Sequence, residues 1–141
     1  MKFAPLLIAC FLAAGCAPGA PDIVVSDAWA RATAPGQSSA AVYATIANRG
    51  AADRMVGIAS DGGMAMFHRS DVEGGVARMR MLAEVAIPAD GQVVLAPGGT
   101  HIMLTGLAAP LAIGTDFPLT LRFAEAGQRT VRVAVVAAGA R

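Results

Sequence analysis

Past Cys16 the chain has no cysteine at all; its two copies are Cys10 and Cys16. A folded part without thiols has no disulfide framework. It also has no thiolate ligand, which excludes a blue-copper electron-transfer site, since that needs a cysteine with two histidines. Lysine is confined to Lys2, and eleven Lys and Arg stand against ten Asp and Glu. With no basic run or stripe, the chain lacks the electrostatic footprint of a nucleic-acid binder. Histidine occurs only twice. Catalytic zinc prefers three His, Asp, Glu or Cys ligands with an open position, and no Gly-x-Ser-x-Gly nucleophile motif is present. These gaps argue against an enzyme. Aromatics are equally scarce, with one Trp and one Tyr, and Trp29 and Tyr43 read as anchors of a small core.

The first residues have the character of a targeting segment. Met1-Lys2 is a minimal positive region, and Ala4 to Ala14 is apolar but too short to span a bilayer. Leu12-Ala13-Ala14-Gly15-Cys16 resembles a bacterial lipobox, in which small residues precede a cysteine that is lipidated and becomes the new N-terminus. The position three before the cysteine, usually a large aliphatic residue, is Ala13. Ordinary signal-peptidase cleavage nearby is the alternative, and Pro18 and Pro21 make the adjacent bonds poor sites for it. The expected organisation is a signal peptide over 1–16, a short tether over 17–22 and one domain over 23–138. The protein is then exported to the periplasm and touches the membrane only through a lipid on Cys16. About 120 residues are enough for a hydrophobic core.

What the chain has in quantity is turn signals at short spacing. Asn48-Arg49-Gly50, Asp61-Gly62-Gly63, Glu73-Gly74-Gly75, Pro88-Ala89-Asp90-Gly91, Pro97-Gly98-Gly99 and Ala126-Gly127 each preset a turn or tolerate positive φ. Between them lie candidate strands at Ile23 to Ala30, Ala40 to Asn48, Met55 to Ala59, Met64 to Arg69 and Val76 to Met81. Further candidates are Gln92 to Leu95, His101 to Leu107, Leu119 to Ala124 and Thr130 to Val136. Leu119-Thr120-Leu121-Arg122-Phe123 alternates cleanly, giving one buried and one wet face. Leu107 to Ile113 is broken by Pro110 and reads as a loop. The pattern is all-β, a sandwich of about eight strands.

The two histidines both fall in methionine-rich strand segments, Met64-Ala65-Met66-Phe67-His68 and His101-Ile102-Met103. Residues two apart on a strand share a face. His101 therefore projects with Met103, Met64 and Met66 with His68, and Met79 with Met81. Imidazole and thioether without thiolate suit a soft monovalent metal, copper(I) above all. The plain alternative is a hydrogen-bonded structural histidine beside methionines that fill a core.

Ten residues separate His68 from Met79, twenty-one separate Met79 from His101, and one separates His101 from Met103. His-x10-Met-x21-His-x-Met resembles the signature of the periplasmic copper(A) chaperone family, PCu(A)C. The similarity extends to Ala28-Trp29-Ala30-Arg31, Ala41-Val42-Tyr43, Ala47-Asn48-Arg49-Gly50, Pro97-Gly98-Gly99-Thr100-His101-Ile102-Met103-Leu104 and Gly106-Leu107, and so covers most of Asp27 to Val136. The resemblance implies a cupredoxin-like Greek-key β-sandwich. It also implies one copper(I) per domain, held by His68, Met79, His101 and Met103. The implied recipient is the copper A domain of cytochrome c oxidase subunit II, with a Sco-type thiol partner alongside. Where the family often has a methionine just after the first histidine, this chain has Arg69. Met64, Met66 and Met81 are then candidate outer donors. The His/Met-rich extension of some relatives has no counterpart in Gly139-Ala140-Arg141.

The ligand chemistry suits an oxidising compartment, where thiolates are easily lost to oxidation. The expected function is a copper(I) chaperone with no turnover. The alternatives are copper storage or tolerance, and a metal-free β-sandwich lipoprotein.

Overall fold

The computed structural model describes residues 19–141, so Cys10, Cys16 and the expected export segment lie outside the described residues. Ten strands follow one another: β1 (Ile23–Arg31), β2 (Ser39–Asn48), β3 (Asp53–Ser60), β4 (Met64–Glu73), β5 (Val76–Leu82), β6 (Val85–Ile87), β7 (Gln92–Leu95), β8 (Thr100–Thr105), β9 (Asp116–Phe123) and β10 (Gly127–Val136). They pair in the order β5-β4-β8-β2-β1-β10-β9-β3-β6, with β7 joined to β2 beside β8. The described residues form no helix, and Leu107 to Ile113 is loop. The all-β, cupredoxin-like expectation is met. Three-residue β6 is the one strand not anticipated.

Alternation generates a single core. On β9, Leu119, Leu121 and Phe123 are buried, whereas Pro118 and Arg122 are exposed. The same period buries Val42 and Ile46 of β2, Phe67 of β4, Ile102 and Leu104 of β8, and Val133 of β10. Met55 of β3 and Ile87 of β6, at the other end of the strand order, join the same cluster. One cluster shared by both ends requires the sheet to fold over on itself. Burial of apolar area is the main stabilising term. Strand β5 adds only Leu82, at its end and partly buried.

Two buried polar residues tie corners of the fold. The Asn48 side chain accepts from the amides of Asp22 (3.1 Å) and Gly50 (3.0 Å) and donates to the carbonyls of Ala51 (2.7 Å) and Pro88 (3.0 Å). A Cβ on Gly50 would lie 2.1 Å from the Ala20 carbonyl oxygen, so glycine is required where the chain enters β1. Asp53 is 5% exposed and accepts from the amides of Arg54, Glu125 and Ala126 at 2.7–3.0 Å. Burial pushes its carboxyl pKa up, but those amide donors and that of Ala124 outweigh it and hold the value below the ordinary 3.8.

A bulge in β1 orients one further residue. Ser26 faces Thr45, and Trp29 faces Tyr43, so β1 spends one extra residue where β2 spends none. Asp27 absorbs it with φ at 50°. A bulge moves every later side chain to the opposite face. Ile23 and Val25 point into the core, whereas Trp29 points outward beside Tyr43.

Candidate metal centre

The candidate donors come from the β4–β5 hairpin and β8, whose registers put them on one face. His68 pairs with His101 and Met66 with Met103 across β4 and β8. His68 pairs with Met81 and Ser70 with Met79 across β4 and β5. Directly opposed residues of antiparallel strands project to the same side. Phe67, Ile102 and Leu104 occupy the other side and are buried in the core. His68, His101, Met64, Met66, Met79, Met81 and Met103 thus project from the face of the sheet opposite that cluster, whereas Met55 is buried within it. Trp29 and Tyr43, expected as core anchors, are indeed buried, at 8% and 7% exposure, and pack against each other on this same face of the sheet.

His101 is buried even so, at 4% exposure. Its ring lies 6.3 Å from that of Tyr43, which packs 4.5 Å from Trp29. The His101 Nδ1 is 3.0 Å from the Gly99 carbonyl oxygen. A carbonyl only accepts, so Nδ1 carries the proton, and Nε2 is left as the free electron pair. A histidine metal ligand is commonly held in this way, its second nitrogen donating to a carbonyl. The tight Pro97-Gly98-Gly99 turn supplies that carbonyl.

His68 stands edge-on to His101, with ring centroids 6.0 Å apart and planes at 73°. Its Nδ1 lies 3.0 Å from the Met79 sulfur. An imidazole nitrogen and a thioether sulfur are therefore in contact beside a second imidazole. Met79 is 53% exposed, so this side is open to solvent. Met103 is half-buried, flanked by Ala41 of β2 and Met66 of β4. The four residues of the motif share one face, with His68, Met79 and His101 clustered and Met103 beside them. Spacing alone did not single out Met66, although it sits directly opposite Met103.

The surroundings are close to neutral. Arg69 pairs with Asp71 at 3.1 Å, and Arg78 and Arg80 both pair with Glu73. Among the described residues no three His, Cys, Asp or Glu side chains are grouped to hold a metal. The other donors beside the two histidines on this face are thioethers, which select soft ions. An apolar hollow of about 250 Å³ lies elsewhere, lined by Leu104, Leu107, Leu111 and Phe117, and none of the candidate donors borders it.

With this geometry in hand, known proteins give a consistent picture. Residues 23–135 match the family described as "Putative lipoprotein LpqE-like". "Putative lipoprotein Lxx21020" from Leifsonia xyli subsp. xyli is 34% identical over 119 residues, spanning 82% of this chain and 70% of the relative. The copper-bound PCuAC domain from PmoF2 superposes with a TM-score of 0.71 at 26% identity, covering 86% of this chain and 99% of that domain. The solution structure of copper(I)-bound DR1885 from Deinococcus radiodurans gives 0.62 at 28% identity, covering 88% and 83% of the two chains.

Proposed function

This chain belongs to the family described as "Putative lipoprotein LpqE-like", and from that premise we propose that it is an exported copper(I) carrier with no turnover of its own. The observation that carries the reading is the His68 nitrogen and Met79 sulfur 3.0 Å apart, beside a His101 whose tautomer is set by Gly99. PCuAC domains of the same fold bind copper in the solved relatives. The proposed ligands are His68, Met79, His101 and Met103, holding one ion.

The chemistry follows from the donor set. Two neutral imidazoles and two thioethers leave the ion's single charge uncompensated, which disfavours divalent ions that prefer harder donors. Thioethers carry no proton at neutral pH and cannot be lost to disulfides. The Gly99 carbonyl keeps His101 Nε2 ready to bind, so little reorganisation accompanies loading. Met79, half in solvent on the last strand of the sheet, is the donor a recipient reaches first. A recipient with thiolates binds copper(I) more tightly than thioethers do, so transfer runs outward.

The copper A domain of cytochrome c oxidase subunit II, with a Sco-type thiol partner, is the recipient that fits this direction. The site lies on a folded domain carrying no thiol, so it has no dithiol with which to reduce copper(II) or a disulfide. A lipid on Cys16 would hold the domain at the periplasmic face of a membrane. Mixing the copper(I)-loaded protein with the reduced apo copper A domain, then separating the two, tests delivery. Copper moving to the acceptor supports it, and copper retained at equilibrium identifies a store instead.

A further inference from the structure

The metal-binding motif leaves three exposed or half-buried methionines on the same face without a role. Met64 is 67% exposed and Met81 69% exposed, while Met66 is half-buried. Burial explains a core methionine, but a thioether left mostly in water gains little from packing. An outward strand position of this kind ordinarily carries a polar residue.

Register places these side chains in a row. Met81 is opposite His68 on β5, which puts it diagonally across from Met66. Neighbours on a diagonal have Cα atoms about 7–8 Å apart, within reach of two long side chains. Met64 precedes Met66 on the same face, about 6.6 Å along the strand. Met66 and Met81 also border one open hollow of about 240 Å³ against Val56, Gly57 and Ile58 of β3. Neither belongs to the His68, Met79, His101, Met103 set, and no charged side chain borders that hollow.

We infer that Met66 and Met81 form a second, all-thioether station for a soft monovalent ion, with Met64 as an alternate third donor. Thioethers alone select copper(I) or silver(I) over divalent ions. Without an imidazole the station binds more weakly than the centre beside it. Met66 directly opposes Met103, so the two positions are contiguous, and an ion arriving from solvent passes from the outer thioethers to the inner set. The inference draws on the copper reading of the histidine pair only for this order of affinity.

The test uses the purified protein labelled with 13C at its methionine methyls and titrated with silver nitrate in chloride-free buffer. Silver(I) stands in for copper(I) and does not oxidise. The first equivalent is expected to move the Met79 and Met103 methyls, and the second those of Met66 and Met81. Met66→Leu and Met81→Leu each weaken the second step about tenfold or more and leave the first unchanged. His101→Ala weakens the first step and spares the second. Met66 and Met81 methyls that stay still to excess silver, or that move in step with the first equivalent, overturn the station. A response at Met66 and Met81 with none at Met79 or Met103 overturns the histidine centre instead and leaves the station standing.

Discussion

The ring of His68 reaches Met79, not its register partner: its Nδ1 lies 3.0 Å from the Met79 sulfur, although across β4 and β5 it is Met81 that stands opposite His68. The side chain of Met79 leans along its strand to make this contact. Spacing and geometry therefore agree on Met79, and Met81 is left free for other use.

The first prediction ranks the two. Met79→Ala is expected to weaken copper(I) binding at the tight site by about tenfold or more, and Met81→Ala to change it far less. Competition with a copper(I) chelator measures both. A larger loss for Met81 than for Met79 contradicts the assignment of the β5 donor.

Trp29 supplies an optical reporter. It is the sole tryptophan, and it connects to the candidate centre through Tyr43 and His101, with ring separations of 4.5 and 6.3 Å. Loading with copper(I) should quench Trp29 emission and saturate at one equivalent in the tight step. Tight binding with unchanged emission would mean that the metal sits away from His101.

Asp53 predicts a pH dependence. Its carboxyl pKa is held below 3.8 in the folded state, so its ionised form stabilises the fold above that value. The contribution is lost as pH falls through the lowered folded pKa. Asp53→Asn should cost about 2–3 kcal/mol at neutral pH, and the gap from wild type should shrink in acid below pH 3.8. Denaturant unfolding at several pH values checks this. A gap that stays constant into acid contradicts the charged role.

Export and anchoring are tested by intact mass spectrometry of the membrane fraction. The expected species begins at Cys16 and carries lipid. An unmodified N-terminus at a later residue removes the lipid and leaves export intact.

The strands were legible where alternation ran long enough, as in Leu119 to Phe123. Val85-Ala86-Ile87 was not, because three alternating residues between Glu84 and Pro88 look the same in a loop. Trp29 is buried, as expected of an aromatic in a small core, but which face of the sheet it occupies was not legible, because the bulge at Asp27 has no glycine to announce it. The shared face of Met79 and Met81 follows from period two. Which of them meets His68 depends on the register set by the Gly74-Gly75 turn and on how far a thioether leans. Likewise, the direct opposition of His68 and His101 needs β4 to pair with β8, a contact between residues 31 to 41 apart in the sequence that local patterning does not specify.

The most direct measurement of the central claim is a copper(I) titration of the purified protein against a chromophoric copper(I) chelator, repeated on His101→Ala. The account predicts that the wild-type protein withdraws one equivalent from the chelator and that the variant withdraws far less. A wild-type protein that leaves all the copper on the chelator, or a His101→Ala variant that competes as well as wild type, would contradict it.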